Sequence, residues 1–143
     1  MTVIESIRDF LKGYPGLEGE RLSVDFLPPE AATYSVDVVP IKSEVKRYQD
    51  GSSLRQFAFV LASRTYWGPD LRQQVDNLAF FERFEEWLGS RNGLRDFPDL
   101  GEGRACRKLE VTTSGYAFAP DTDLARYQIQ CRITYFQKGG HKK

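Results

Sequence analysis

The sequence predicts an α+β domain: a mixed, largely antiparallel sheet with two main helices packed on one face. Three observations predict it. Two stretches, about residues 2–12 and 70–90, repeat their apolar residues at helical spacing. Segments with strand-like alternation follow one another directly instead of alternating with helices, as in α+β rather than α/β folds. The last long segment, LARYQIQCRITYF, alternates apolar and polar residues along most of its length, as a strand with one covered face does.

In chain order, TVIESIRDFLKG begins with the pair Thr2 and Glu5 at capping-box spacing. Val3, Ile4, Ile7, Phe10 and Leu11 then make one stripe, and Gly13 with Pro15 stops the helix. RLSVDFL (21–27) sets Leu22, Val24 and Phe26 against Ser23 and Asp25, a half-buried strand. After the loop PPEAAT, YSVDVVPI (34–41) alternates again, and Pro40 ends that strand or places it at an edge. EVKRY (44–48) reads as a further strand before the turn QDGSS. In SLRQFAFVLASRTYW (53–67) the middle, FAFVLA, is apolar at both parities, which calls for cover on both faces of the sheet.

The second helix is expected within GPDLRQQVDNLAFFERFEEWLGSRNG (68–93), started by Pro69 and Asp70 and ended at Gly89 or Gly93. Its apolar stripe broadens from Leu71, Val75 and Leu78 to Phe80, Phe81, Phe84, Trp87 and Leu88. Such a stripe is buried on more than one side or offers a side to another chain, so Phe80, Phe84 and Trp87 are the candidate subunit contact. ACRKLEVTTSGYAFAP reads as a strand, a turn at Ser114-Gly115 and a short strand. In the final strand the odd positions, Ala125 to Tyr135, are apolar, while Arg126, Gln128, Gln130 and Arg132 line the other face. Residues 1–138 are expected to form a single domain, with 139–143 a flexible tail.

Composition narrows the partners. A chain of 143 residues is near the common size of one domain, and ten Phe, seven Tyr and two Trp supply a core. Twenty basic residues balance twenty acidic ones, so no global field draws in nucleic acid or an anionic membrane. No apolar run approaches the ~20 residues of a membrane-spanning helix, and no cleavable signal pattern opens the chain. The two cysteines, Cys106 and Cys131, fit a reducing compartment better than a disulfide scaffold. Together these features lead us to expect a soluble, intracellular protein.

The residues suggest little catalysis. The single histidine, His141, sits in a Gly-Gly-His-Lys-Lys ending that supplies no shell to hold a general base. Cys106 and Cys131 lack zinc-ligand spacing; on neighbouring strands their thiols would either meet or stay buried and reduced. Asp121 and Asp123 sit in a turn, and Glu85 and Glu86 on a helix edge. Gly101-x-Gly103 precedes a strand, where a phosphate loop would open a helix. The hydroxyls of Ser52, Ser53, Thr112, Thr113, Ser114 and Tyr116 have no histidine to activate them. We therefore expect no enzyme, no metal and no cofactor; a small acyl- or antibiotic-modifying enzyme is the alternative from another class.

Four segments carry a resemblance: TVIESIRDFLKGYPGLEGERLSVDFL, RQFAFVLASRTYWGPD, DLGEGRACRKLEVTTSGYAF and ARYQIQCRITYFQ. In this order, over about residues 2–137, the chain resembles a family of small tailed-phage proteins, minor capsid or tail components of phages and prophages of Gram-positive bacteria. Its length and element order also resemble tail terminators. The resemblance implies a virion structural protein at the head–tail junction, assembled in the host cytoplasm into a homo-oligomeric ring, commonly a hexamer, that caps the tail tube. Its implied partners are copies of itself, the tail tube, the head connector and DNA in transit, with no membrane. A head-side connector or minor capsid protein is the alternative the family allows. In a ring, the face of Arg126, Gln128, Gln130 and Arg132 would line the channel or meet the next subunit. On a lone subunit it would simply be wetted.

Overall fold

A computed structural model of the chain describes residues 2–17, 19–25, 27, 33–66, 71–118 and 124–139. Helix α1 (Val3–Leu11) starts as expected: the Thr2 hydroxyl accepts from the Glu5 amide at 3.2 Å, and a Glu5 carboxylate oxygen accepts from the Thr2 amide at 2.9 Å. A 3-10 turn (Pro15–Leu17) follows, then strands β1 (Leu22–Val24), β2 (Thr33–Val39), β3 (Glu44–Arg47) and β4 (Ser53–Tyr66). Helix α2 (Leu71–Leu94) leads into β5 (Arg104–Phe118) and β6 (Leu124–Gln137). The start marked by Pro69 and Asp70, the position of Phe26 and the loop 28–32 lie outside the described residues.

The six strands form one sheet in the order β1-β2-β4-β6-β5, with β3 beside β4. All pairings are antiparallel except β1 with β2. Both β2 and β3 bond to β4, and β6 is its other partner. The sheet edge carrying β3 is therefore opposite the edge formed by β5.

The alternation read in β6 determines the core. Tyr127, Ile129, Cys131, Ile133 and Tyr135 are buried, together with Phe59 and Leu61 of β4. Ile7 and Leu11 of α1 and Phe81, Phe84 and Leu88 of α2 pack on the same side. On the other side of β4, Val60 and Ala62 gather with Leu27, and Val39 packs against them. The doubly apolar FAFVLA is thus covered on both faces, more thinly on the second.

Two boundaries differ from the sequence reading. Helix α2 runs through Gly89 and Gly93 to Leu94. It stops where Arg95 turns left-handed, with φ 57°, and donates to the Asn92 carbonyl while the Asp96 amide donates to that of Arg91. This is a Schellman closure without its usual glycine, held by the Arg91–Asp96 ion pair at 2.8 Å. The second difference is at Ser114-Gly115, where no hairpin turn forms. β5 continues to Phe118 with register shifts around Thr113. Gly115 is required there because α2 passes so close that a Cβ would fall 2.5 Å from the Phe81 Cβ. Glycine within a strand marks such an approach.

Gly139, expected at the start of the tail, lies against the backbone of Asp50, Gly51 and Ser52; residues 140–143 are outside the described set.

The two glycine environments predict opposite effects. A Cβ on Gly93 meets no atom within 4 Å, so Gly93→Ala is expected to stabilise the fold by about 0.5–1 kcal/mol through helix propensity. Gly115→Ala overpacks the helix–sheet joint and should cost about 1–3 kcal/mol. Urea denaturation of both variants checks the signs.

Candidate functional site

The side of the sheet away from the helices is the candidate site, because the polar residues of β6 collect there. Strand register carries Arg126, Gln128, Gln130 and Arg132 opposite Arg64, Ala62, Val60 and Ala58 of β4. Three of these β4 side chains, Ala58, Val60 and Ala62, are small and leave room for long ones to lie across them. Arg126 reaches over β4 to β2 and meets Asp37 at 2.7 Å. The Arg126 Nε also donates to Gln128 Oε1 at 2.9 Å, and Gln128 Nε2 donates to the Tyr116 hydroxyl of β5 at 2.7 Å. A single chain of polar contacts therefore crosses the open face from β2 to β5.

Further along, Arg132 pairs with Glu110 of β5 at 2.8 Å, and Lys108 approaches the same carboxylate at 3.7 Å. The Arg126 and Asp37 side chains retain only 23% and 21% of their exposure. That partial desolvation strengthens the pair relative to a fully wetted one. Asp37 Oδ1 is buried with no hydrogen-bond partner among the described residues. Gln130 contributes through its backbone, whose carbonyl accepts from the Thr112 hydroxyl at 3.1 Å. The four predicted residues thus share one face, and Asp37, Glu110 and Tyr116 complete it. Spacing along the chain does not reveal those partners, which come from other strands.

The aromatic set of α2 lies on the helix side of the sheet, in and against the core. Phe84 is fully buried and Phe80 and Trp87 are half-buried, all gathered around Tyr14 after α1. The Tyr14 ring meets Phe80 and Phe84 edge-on at 5.5 and 5.3 Å, and Trp87 at 5.5 Å. Its hydroxyl donates to the Phe80 carbonyl at 2.8 Å. Phe10 covers Trp87, and Tyr34 stacks on Phe80. Rings from the same chain thus bury Phe84 completely and leave Phe80 and Trp87 partly exposed.

Other singled-out groups are placed as follows. Gly101 and Gly103 have φ of 97° and 82° in the turn entering β5. Ser52 donates to Asp50 from both its amide and its hydroxyl. Glu85 accepts from the Ser114 hydroxyl at 3.1 Å. Among the described residues no group of three or more His, Cys, Asp or Glu is placed to hold a metal ion, and no helix is long and apolar enough to cross a membrane. His141, Asp121 and Asp123 lie outside those residues.

The strands of the two cysteines are neighbours, but Cys106 sits opposite Tyr135 and Cys131 opposite Val111. The thiols are about four residues apart along the ladder, roughly 13 Å. Both are free and buried. Burial pushes the Cys106 thiol up to about 11, and raises that of Cys131 further.

Set against protein-family models the chain matches none, and a comparison with curated proteins likewise gives no match.

Two measurements follow. A double-mutant cycle on Asp37→Asn and Arg126→Gln should give a coupling of about 1 kcal/mol that weakens with salt. The cycle on the more exposed Arg132–Glu110 pair should give less. Neutral thiols are poor nucleophiles, so neither cysteine should react with a haloacetamide at neutral pH until the protein unfolds. Mass spectrometry with and without denaturant reads the difference.

Proposed function

We propose that this chain is a structural protein of a tailed-phage virion, a tail terminator or head–tail joining subunit that acts by assembly. Six copies form a ring that caps the finished tail tube and presents a surface to the head connector. The ordered resemblance of four segments over nearly the whole chain supports the reading.

The observation that carries it in three dimensions is the open face, where both arginines of β6 already have carboxylate partners. Arg126 is held by Asp37 and Arg132 by Glu110. A cation engaged within its own chain gives little counterion-release affinity for phosphate. A wall of such pairs suits a channel past which DNA slides without being gripped. Val60 and Ala62 lie opposite Gln130 and Gln128 on the same face, packed with Leu27.

The experiment is electron microscopy of the purified protein, alone and mixed with tail tubes. The expected result is a closed ring with a central opening, seated at one end of the tube. Monomers in both samples would contradict the proposal. Immunogold labelling of particles separates the tail side from the head side: label on isolated tails supports a terminator, and label on tail-less heads supports a connector or minor capsid protein.

A further inference from the structure

The sheet has two distant edges, and their surfaces differ in a complementary way. At the β3 edge, Ile41, Val45 and Tyr48 are exposed, Val45 by 52%. Among the described residues the other large hydrophobic side chains exposed to this degree are Val38, Leu78 and Leu94. Lys42 and Lys46 flank the three at this edge. Lys46 lies over the Tyr48 ring at 5.3 Å, and neither lysine has a carboxylate within ion-pair distance among the described residues. The nearby Glu44 is occupied by Arg47 at 2.6 Å and Arg55 at 3.7 Å.

At the opposite edge, α2 and β5 enclose a groove of about 280 Å³ lined by Leu78, Glu82, Glu85, Ser114 and Gly115. Leu78 in its lining is 45% exposed. Glu82 and Glu85 have no cation partner among the described residues, and Gly115 leaves the wall without a side chain.

We infer that the β3 edge of one copy of this chain docks into the α2–β5 groove of the next. Val45 and Tyr48 pack against Leu78, and Lys42 and Lys46 meet Glu82 and Glu85. Each surface leaves unpaired the charges that the other one pairs, which is the complementarity that steers and registers an association. Because the two patches occupy opposite edges of one sheet, the contact is heterologous: it propagates head to tail, and closes into a ring when the rotation per copy allows. The inference rests on the ring reading only for that closure; the contact itself is argued from the surfaces.

Charge reversal tests it. Lys42→Glu/Lys46→Glu makes both surfaces of a copy acidic, and Glu82→Lys/Glu85→Lys makes both basic. Each variant alone, shown folded by circular dichroism, should self-associate roughly 100-fold more weakly than wild type. An equimolar mixture should regain assembly, because every groove then faces an edge of opposite sign. Sedimentation velocity at low salt measures all four samples. As a second readout, Val45→Cys and Leu78→Cys variants should form disulfide-linked dimers efficiently when mixed and poorly when separate.

Rings that form in each reversal variant as readily as in the wild type would overturn the contact and leave the ring reading in place. So would two folded variants that fail to assemble together. A wild type that remains monomeric at millimolar concentration would overturn the contact outright. Open chains that respond to the reversals would uphold the contact and overturn ring closure.

Discussion

The pairing of β4 with β6 is the constraint on which the rest of this structure depends. The two strands pair along their full length, from Ser53 with Gln137 to Tyr66 with Leu124, with no register shift. Strand side chains alternate with a period of two, so a slip of one residue would invert both faces. It would expose Ile129, Cys131 and Ile133, which are wholly buried, and drive Arg126 and Arg132 toward the aromatic core. Burying those cations without partners would cost several kcal/mol each. The hydrophobic and electrostatic penalties act in the same direction, and the register is strongly specified.

Around that ladder the two faces serve different ends. The helix side is closed by interlocking rings, with Tyr14 seated among Phe80, Phe84 and Trp87. Burial raises the ionisation of the Tyr14 and Tyr34 hydroxyls above the ordinary tyrosine range. In the folded protein both protons are held more tightly than in the unfolded chain. Their contribution to stability is therefore intact below about pH 10 and declines as pH rises through the folded values. The open side is held by ion pairs and amides that tie β2, β6 and β5 together across β4. Sheet edges are ordinarily blunted against pairing with other chains. Here lysines flank the β3 edge and glutamates flank the groove beside β5, with exposed apolar residues between the charges on both.

Much of this was legible in the residues themselves. The Thr2–Glu5 cap and the parity of β6 follow from local spacing, and both appear in the structure. The features that were not legible depend on distant packing. Arg95 closes α2 without glycine because Asp96 turns back to Arg91, which the glycines at 89 and 93 obscured. Gly115 looks like a turn residue in sequence, yet its role is to admit Phe81 from a helix more than thirty residues earlier. The aromatic stripe broadens because a tyrosine beyond α1 fills it. The partners of the polar face are not local either: Arg126 and Asp37 are 89 residues apart. Periodicity identified which residues share a face; three-dimensional pairing determined how much of each face remains available to a partner.

Backbone hydrogen exchange, compared between dilute and assembled protein, tests the central claim most directly: a rigid two-faced sheet that works through its edges. The account predicts that the central amides of β4 and β6 exchange slowest and equally in both samples. Protection on assembly should rise at Ile41–Tyr48 and along the groove between α2 and β5. Fast exchange in the middle of β4 and β6, or new protection confined to the aromatic joint around Tyr14, would contradict it.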